Sequence, residues 1–175
     1  VKRLFLWLYL CGASLAAAQS GVWLDVPFFK QEKDGCGAAS IAMVMQYWID
    51  QQKSGGSVDS AGIQRALYSK QDHGIRASDL EKYFQEHGFR AFAFQGSKDE
   101  LRKHLEKGRP LIVALKPEAN GDLHYVVVAG LDHGVVLVND PAQRKLLKQH
   151  WSDFEKQWSA VGKWTLLAVP RPQLH

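Results

Sequence analysis

Gln31-Glu-Lys-Asp-Gly-Cys36-Gly-Ala-Ala-Ser-Ile-Ala-Met43 is the stretch on which the reading of this chain turns. An apolar helix starts at the cysteine, and a glutamine stands upstream of it. Residues 38–52 continue the helix, with Ile41, Met43, Val44, Met45, Tyr47 and Trp48 giving it wide apolar coverage, so it is expected to be buried on most sides. Glycines on both sides of Cys36 and polar residues before it are poor surroundings for a cysteine acting as a small core hydrophobe. A thiol attacks as thiolate, and an ordinary cysteine with a pKa of about 8.5 is mostly protonated at neutral pH. Two devices favour the anion, namely the free N–H groups of a helix N-terminus and a nearby imidazolium. The Asp34-Gly35-Cys36-Gly37 turn supplies the first. Gln31, with the Cys36 backbone N–H, would complete an oxyanion hole.

The rest of the chain agrees with a lone reactive thiol. The other cysteine, Cys11, falls in a segment with the parts of a secretion signal. Lys2-Arg3 is a basic start, residues 4–15 are apolar apart from Gly12 and Ser14, and Ala16-Ala17-Ala18 precedes Gln19. From Leu4 to Ala18 the run is shorter than the roughly 20 residues of a membrane-spanning helix. The expectation is a signal peptide over 1–18, one domain over 19–175, and an exported product, periplasmic or extracellular. An uncleaved anchor is the alternative, and Leu10 before Cys11 speaks against lipoprotein processing. A single thiol then remains, which cannot form an intrachain disulfide. Setting aside Lys2 and Arg3 leaves 20 basic against 18 acidic residues, a net charge of +2. The charges scatter without a dense Lys/Arg run, so nucleic acid is not an expected partner.

Periodicity and caps divide the remainder. A helix is expected over 58–68, joined to the first by Ser54-Gly55-Gly56-Ser57. Ser78-Asp-Leu-Glu81 and Ser97-Lys-Asp-Glu100 read as capping boxes of two further helices, ended by Gly88 and by Gly108 with Pro110, and Ser152-Asp-Phe-Glu155 as the start of a last one. Strands are expected over 89–94, 111–115, 124–129, 135–139 and 165–169. Helices crowd the first half and strands the second. That is the pattern of an α+β fold with a mostly antiparallel sheet.

Of the seven histidines, only His124 opens a strongly apolar strand, Tyr125-Val-Val-Val-Ala129. Alone, such a residue is a core histidine bonded to backbone. A hairpin connected through Leu131-Asp132-His133 would pair Gly130 with Gly134 and set His124 directly across from Asp140. Pro141 then ends the strand, since it lacks an N–H for the ladder. A carboxylate across from an imidazole fixes its tautomer and stabilises its charged form.

With Val26-Pro-Phe-Phe-Lys-Gln31, Asp34-Gly-Cys36-Gly-Ala-Ala-Ser40, His124-Tyr-Val-Val-Val and Asn139-Asp140-Pro141 in place, the chain resembles the bacteriocin-processing peptidases. These are papain-like cysteine proteases known as the domain that removes double-glycine leaders in peptide-exporting ABC transporters. The resemblance implies Cys36 as nucleophile, His124 as base, Asp140 as its orienter and Gln31 as oxyanion donor. It also implies a helical N-terminal half packed on an antiparallel sheet, with the site in the cleft between them. The family's transporter-linked members work on the cytoplasmic side, so an exported chain shares fold and reaction type more securely than leader specificity.

The function expected is peptide-bond hydrolysis on a peptide or protein substrate. The alternatives are a papain-like acyltransferase, of transglutaminase or transpeptidase type, and an idle peptide-binding module. No cofactor or metal is called for: His-Glu-x-x-His and paired-cysteine spacings are missing, as is a glycine-rich Lys-Ser/Thr phosphate loop for ATP. Membrane association is expected only through an uncleaved signal or a transporter partner. Loops 69–76 and 117–122 are candidates to line the cleft.

Overall fold

The computed structural model describes residues 20–117 and 121–172; the expected signal peptide, 1–18, lies outside them. Its sheet comprises β1 (Val22–Trp23), β2 (Phe89–Gln95), β3 (Leu111–Leu115), β4 (His124–Asp132), β5 (Val135–Asn139), β6 (Leu147–His150) and β7 (Trp164–Pro170). The strands run in the order β2-β7-β3-β4-β5-β6, every pairing is antiparallel, and β1 adds to β4 through Val22–Leu131 and Trp23–Gly130. β3 is buried throughout, and so are residues 125–131 of β4. That unbroken burial comes from cover on both faces of the sheet.

On one face lie α1 (Cys36–Gln52), α2 (Ser60–Leu67) and α3 (Ala77–Glu86). Ile41, Val44, Ile63, Leu80 and Phe84 there meet Ile112, Tyr125, Val127 and Leu166. On the other face α4 (Lys98–Glu106) and α5 (Trp151–Ser159) bring Leu101, Leu105, Phe154 and Trp158 against Val113, Val126, Val128 and Val138. The helical first half therefore covers one face of the sheet, and later helices seal the other. α1 is the deepest element: residues 37–44 are all buried. At its far end Trp48 Nε1 donates to the Ala168 carbonyl at 3.0 Å, and Ser40 Oγ donates to Tyr125 O at 3.3 Å. These bonds fix the cysteine-bearing helix along the sheet.

The elements depart from expectation where local chemistry was outcompeted. Ser97 caps α4 as expected, its side chain accepting from Glu100 N. Ser78 and Ser152 lie inside their helices. α3 starts after Arg76, whose carbonyl takes the Asp79 and Leu80 N–H groups. α5 begins at Trp151, whose N–H is taken by Gly134 O, while Glu155 bonds the Trp151 indole and Lys163, both at 2.8 Å, in place of closing a box. The expected hairpin register is also corrected. The β4–β5 connection is only His133-Gly134, with φ of 37° and 83°. This is a tight turn in which both central residues have positive φ, as hairpin twist prefers. Gly130 consequently pairs with Leu137, and an irregularity between Val128 and Gly130 moves the register once more, so that Val127 pairs with Asn139.

Candidate active site

The turn ahead of α1 is held from outside. Asp34 adopts φ of 56°; its carbonyl accepts from Gln64 Nε2 and its carboxylate from Tyr68 Oη, both at 3.3 Å. Gly35 is the N-cap, and no side chain caps the helix. Cys36 is therefore the first helical residue, partly exposed and free of disulfide, beside N–H groups that no cap consumes. The flanking glycines serve close packing. A Cβ on Gly35 would lie 3.1 Å from Glu32 O, and one on Gly37 3.1 Å from the Ile75 Cβ.

His124, at the head of β4, places Nε2 at 2.7 Å from Asp140 Oδ1. The corrected register explains how they still meet. Continuing the Val127–Asn139 pairing sets Asp140 across from Val126, one diagonal step from His124 on the same face. Asp140 has left the ladder and is held by its own loop. Oδ1 also accepts from Ala142 N at 2.9 Å, and Oδ2 accepts from Gln143 Nε2 at 2.6 Å. The carboxylate is 4% exposed and the imidazole 18%. Burial works against the imidazolium, but the hydrogen bonds and charges of Asp140 and of Cys36, beside the same ring, outweigh it. His124 is thereby raised from 6.5 to about 9. Burial likewise opposes the Asp140 charge, yet His124, Ala142 N–H and Gln143 hold its carboxyl below the usual range.

The sign of these shifts matters. A histidine whose pKa rises on folding gives stability that is full below its ordinary value near 6.5 and lost as pH climbs through about 9. The charged imidazole is thus the resting form at neutral pH. Asp140→Asn keeps an acceptor for His124 but removes the charge, and its amide nitrogen cannot accept from Gln143 Nε2 as Oδ2 does. We expect the alkaline limb of the pH–rate profile to move from about 9 downward by roughly one unit or more, and the lost orientation of the ring, rather than its charge, to cost about tenfold at neutral pH. A profile unchanged by the substitution would show that Asp140 does not govern the imidazole.

Gln31 reaches the site through the main chain: its N–H donates to Pro141 O at 2.9 Å. Its side-chain Oε1 is buried and unpartnered among the described residues. Asn139, fully buried, sends Nδ2 to Val26 O at 3.0 Å and takes Leu146 N–H on Oδ1 at 2.9 Å. It thereby ties the segment leading to Gln31 to the loop that carries Asp140. The structure thus gathers Cys36, His124 and Asp140 around one imidazole and fastens Gln31 to the same loop. Sequence reasoning gave no role to Asn139, although it stands in the quoted motif, and missed Gln143. An exposed glutamine in a loop carries no signal until the carboxylate beside it is seen.

Beside Cys36 opens a cleft of about 430 Å³. Residues 72–77 form one wall and residues 121–123 another, with Tyr125 beside the thiol. Both segments named from sequence contribute. Asp72 is braced by Ser69 and by Arg76 Nε at 2.8 Å, so that wall is preformed.

This is the fold of the papain-like cysteine peptidases. The chain belongs to the Peptidase_C39 like family, whose model matches residues 23–166. Among solved structures it is similar to a double glycine motif protease from an AMS/PCAT transporter in complex with the leader peptide, with 24% identity, a TM-score of 0.67, and coverage of 86% of this chain and 95% of that one. It is similar also to a protein from Bacillus anthracis described as a C39-like peptidase, with 20% identity, a TM-score of 0.65, and coverage of 89% and 100%. A third is the peptidase domain of Streptococcus ComA, a bi-functional ABC transporter involved in a quorum sensing pathway, with 21% identity, a TM-score of 0.64, and coverage of 82% and 98%. At these identities the likenesses establish the fold. Comparison with curated proteins gave no match.

Proposed function

We propose that the chain is a cysteine peptidase acting through Cys36, His124 and Asp140, with Gln31 as the side-chain donor to the oxyanion. The observation that carries this reading is one imidazole with Asp140 on Nε2 and Cys36 beside the same ring. The Cys36 sulfur adds to the scissile carbonyl, whose π electrons move to oxygen. Gln31 and the uncapped N–H groups of α1 stabilise that oxyanion. The imidazolium gives its proton to the leaving amine as the C–N bond breaks, leaving a thioester. His124 then takes a proton from water, which attacks the thioester and releases the acid and the thiolate. Asp140 holds the ring and its positive charge throughout.

The family membership and the solved neighbour bound to a leader peptide support a peptide as the substrate class. The basic start, apolar run and alanine-rich boundary of residues 1–18 support export. One experiment tests both. A census of protein N-termini in culture fluid, with wild type and Cys36→Ala compared, should show new termini with wild type alone. It should also show this protein beginning at Gln19. Branched products without new termini would point to acyl transfer, and an identical census to a binding module. A full-length cytoplasmic protein would refute export.

A further inference from the structure

The residue after His124 faces the other way. Neighbouring strand residues point to opposite faces, so Tyr125 turns toward α1, where it lines the cleft with Cys36. The residue is 4% exposed, and its ring stands edge-on to Trp164 with centroids 5.6 Å apart. Buried tyrosine hydroxyls normally find a hydrogen-bond partner. Tyr47 donates to Gly108 O at 3.0 Å and Tyr68 to Asp34 Oδ2 at 3.3 Å. The Tyr125 hydroxyl has no hydrogen-bond partner among the described residues. It is also not among the polar atoms sealed from solvent without a partner, so it opens to the cleft. Burial first, then the charges of Cys36 and Asp79, push its pKa up. The group therefore stays protonated, a donor at any working pH.

We propose that the Tyr125 hydroxyl donates a hydrogen bond to a main-chain carbonyl of the peptide bound beside Cys36. This substrate-binding contact rests on the peptidase reading above and adds to it. An extended peptide presents its carbonyls along the cleft, where Arg76 Nε is already committed to Asp72 and the Tyr125 hydroxyl is a donor without a partner. A phenol held rigidly at its ring supplies that donor with little entropy left to lose on binding.

The test is Tyr125→Phe, which keeps the ring and removes the hydroxyl. Aldehydes add reversibly to a cysteine: the C–S bond forms, the carbonyl oxygen takes the proton, and the blocked thiol resists alkylation. The probes are a panel of N-acetyl dipeptide aldehydes, with acetaldehyde as the control that has no main-chain carbonyl. In Tyr125→Phe, the peptide-aldehyde concentration giving half-protection of Cys36 from iodoacetamide should rise about tenfold. Acetaldehyde protection and unprotected labelling should match wild type. On a peptide found in the census, KM should rise about tenfold with kcat within about twofold, the mark of a contact made equally before and during reaction. Equal peptide-aldehyde protection in the two proteins would overturn the assignment. A shift of the acetaldehyde curve by the same factor would overturn it too, by showing a general disturbance of the site. If no peptide aldehyde protects Cys36 in wild type, the peptidase reading itself fails, and the role of Tyr125 with it.

Discussion

Cys36→Ala should leave a folded protein whose peptide cleavage is slower by on the order of 10⁴–10⁶-fold. The fold should persist for local reasons. Cys36 is the first residue of α1 and partly exposed, and alanine is the best helix former, so neither cavity nor strain arises. What is lost is the only atom at the head of the helix able to form an acyl intermediate. The partner that activates it can be tested apart from any substrate. In His124→Ala the thiol loses its charged neighbour, and its labelling by iodoacetamide at neutral pH should slow well below wild type. Cleavage by Cys36→Ala above about one-hundredth of the wild-type rate, in a preparation free of other proteases, would remove the cysteine from the mechanism.

The second large effect is at Gln31. Its main-chain bond to Pro141 survives truncation of the side chain, so Gln31→Ala should fold as wild type does. The amide matters when negative charge develops on the carbonyl oxygen, and much less to the resting substrate. The expected result is a fall in kcat of roughly 10²–10³-fold with KM little changed. The test separates two sources of stabilisation. A folded Gln31→Ala with wild-type kcat would mean that the uncapped N–H groups of α1 supply the oxyanion hole alone.

Much of this architecture was legible because its signals are local. β3 and β5 occupy the expected spans: Pro110 precedes one, and His133-Gly134 and Asp140-Pro141 bracket the other. The cysteine-bearing helix announced itself through its apolar coverage. β1 and β6 were missed for opposite reasons. β1 is two residues long, too short for any period. β6, Leu-Lys-Gln-His, is a half-exposed edge strand whose alternation is mostly polar. The site shows how a contact can be anticipated by a faulty route. The expected three-residue connection gave the wrong register, because nothing local in Asp132-His133-Gly134 marks where the turn begins, although His133 is of a type that can adopt positive φ. His124 and Asp140 meet even so, since two long polar side chains on one face can bridge a diagonal, and since Asp140 is aimed by Ala142 and Gln143. The tether from Asn139 to Val26 spans most of the chain. Nothing in the spacing of residues carries such a bond.

The interior position of β7 has a consequence in time. This strand, made last among the described elements, lies between β2 and β3, so two much earlier strands wait for it before either has its full set of neighbours. Asp140 and Pro141, which complete the surroundings of His124 and Gln31, also emerge after more than three-quarters of the chain. A ribosome part-way through the message therefore carries a thiol without its charge partner, on a sheet that cannot yet close. The sheet is built mainly from pairings between distant segments, which are slow to form. The surroundings of Cys36 and His124 are thus completed in one late step, when the strand from Trp164 to Pro170 slots home. The topology of the sheet keeps a nascent chain from assembling that cleft before its last strand arrives.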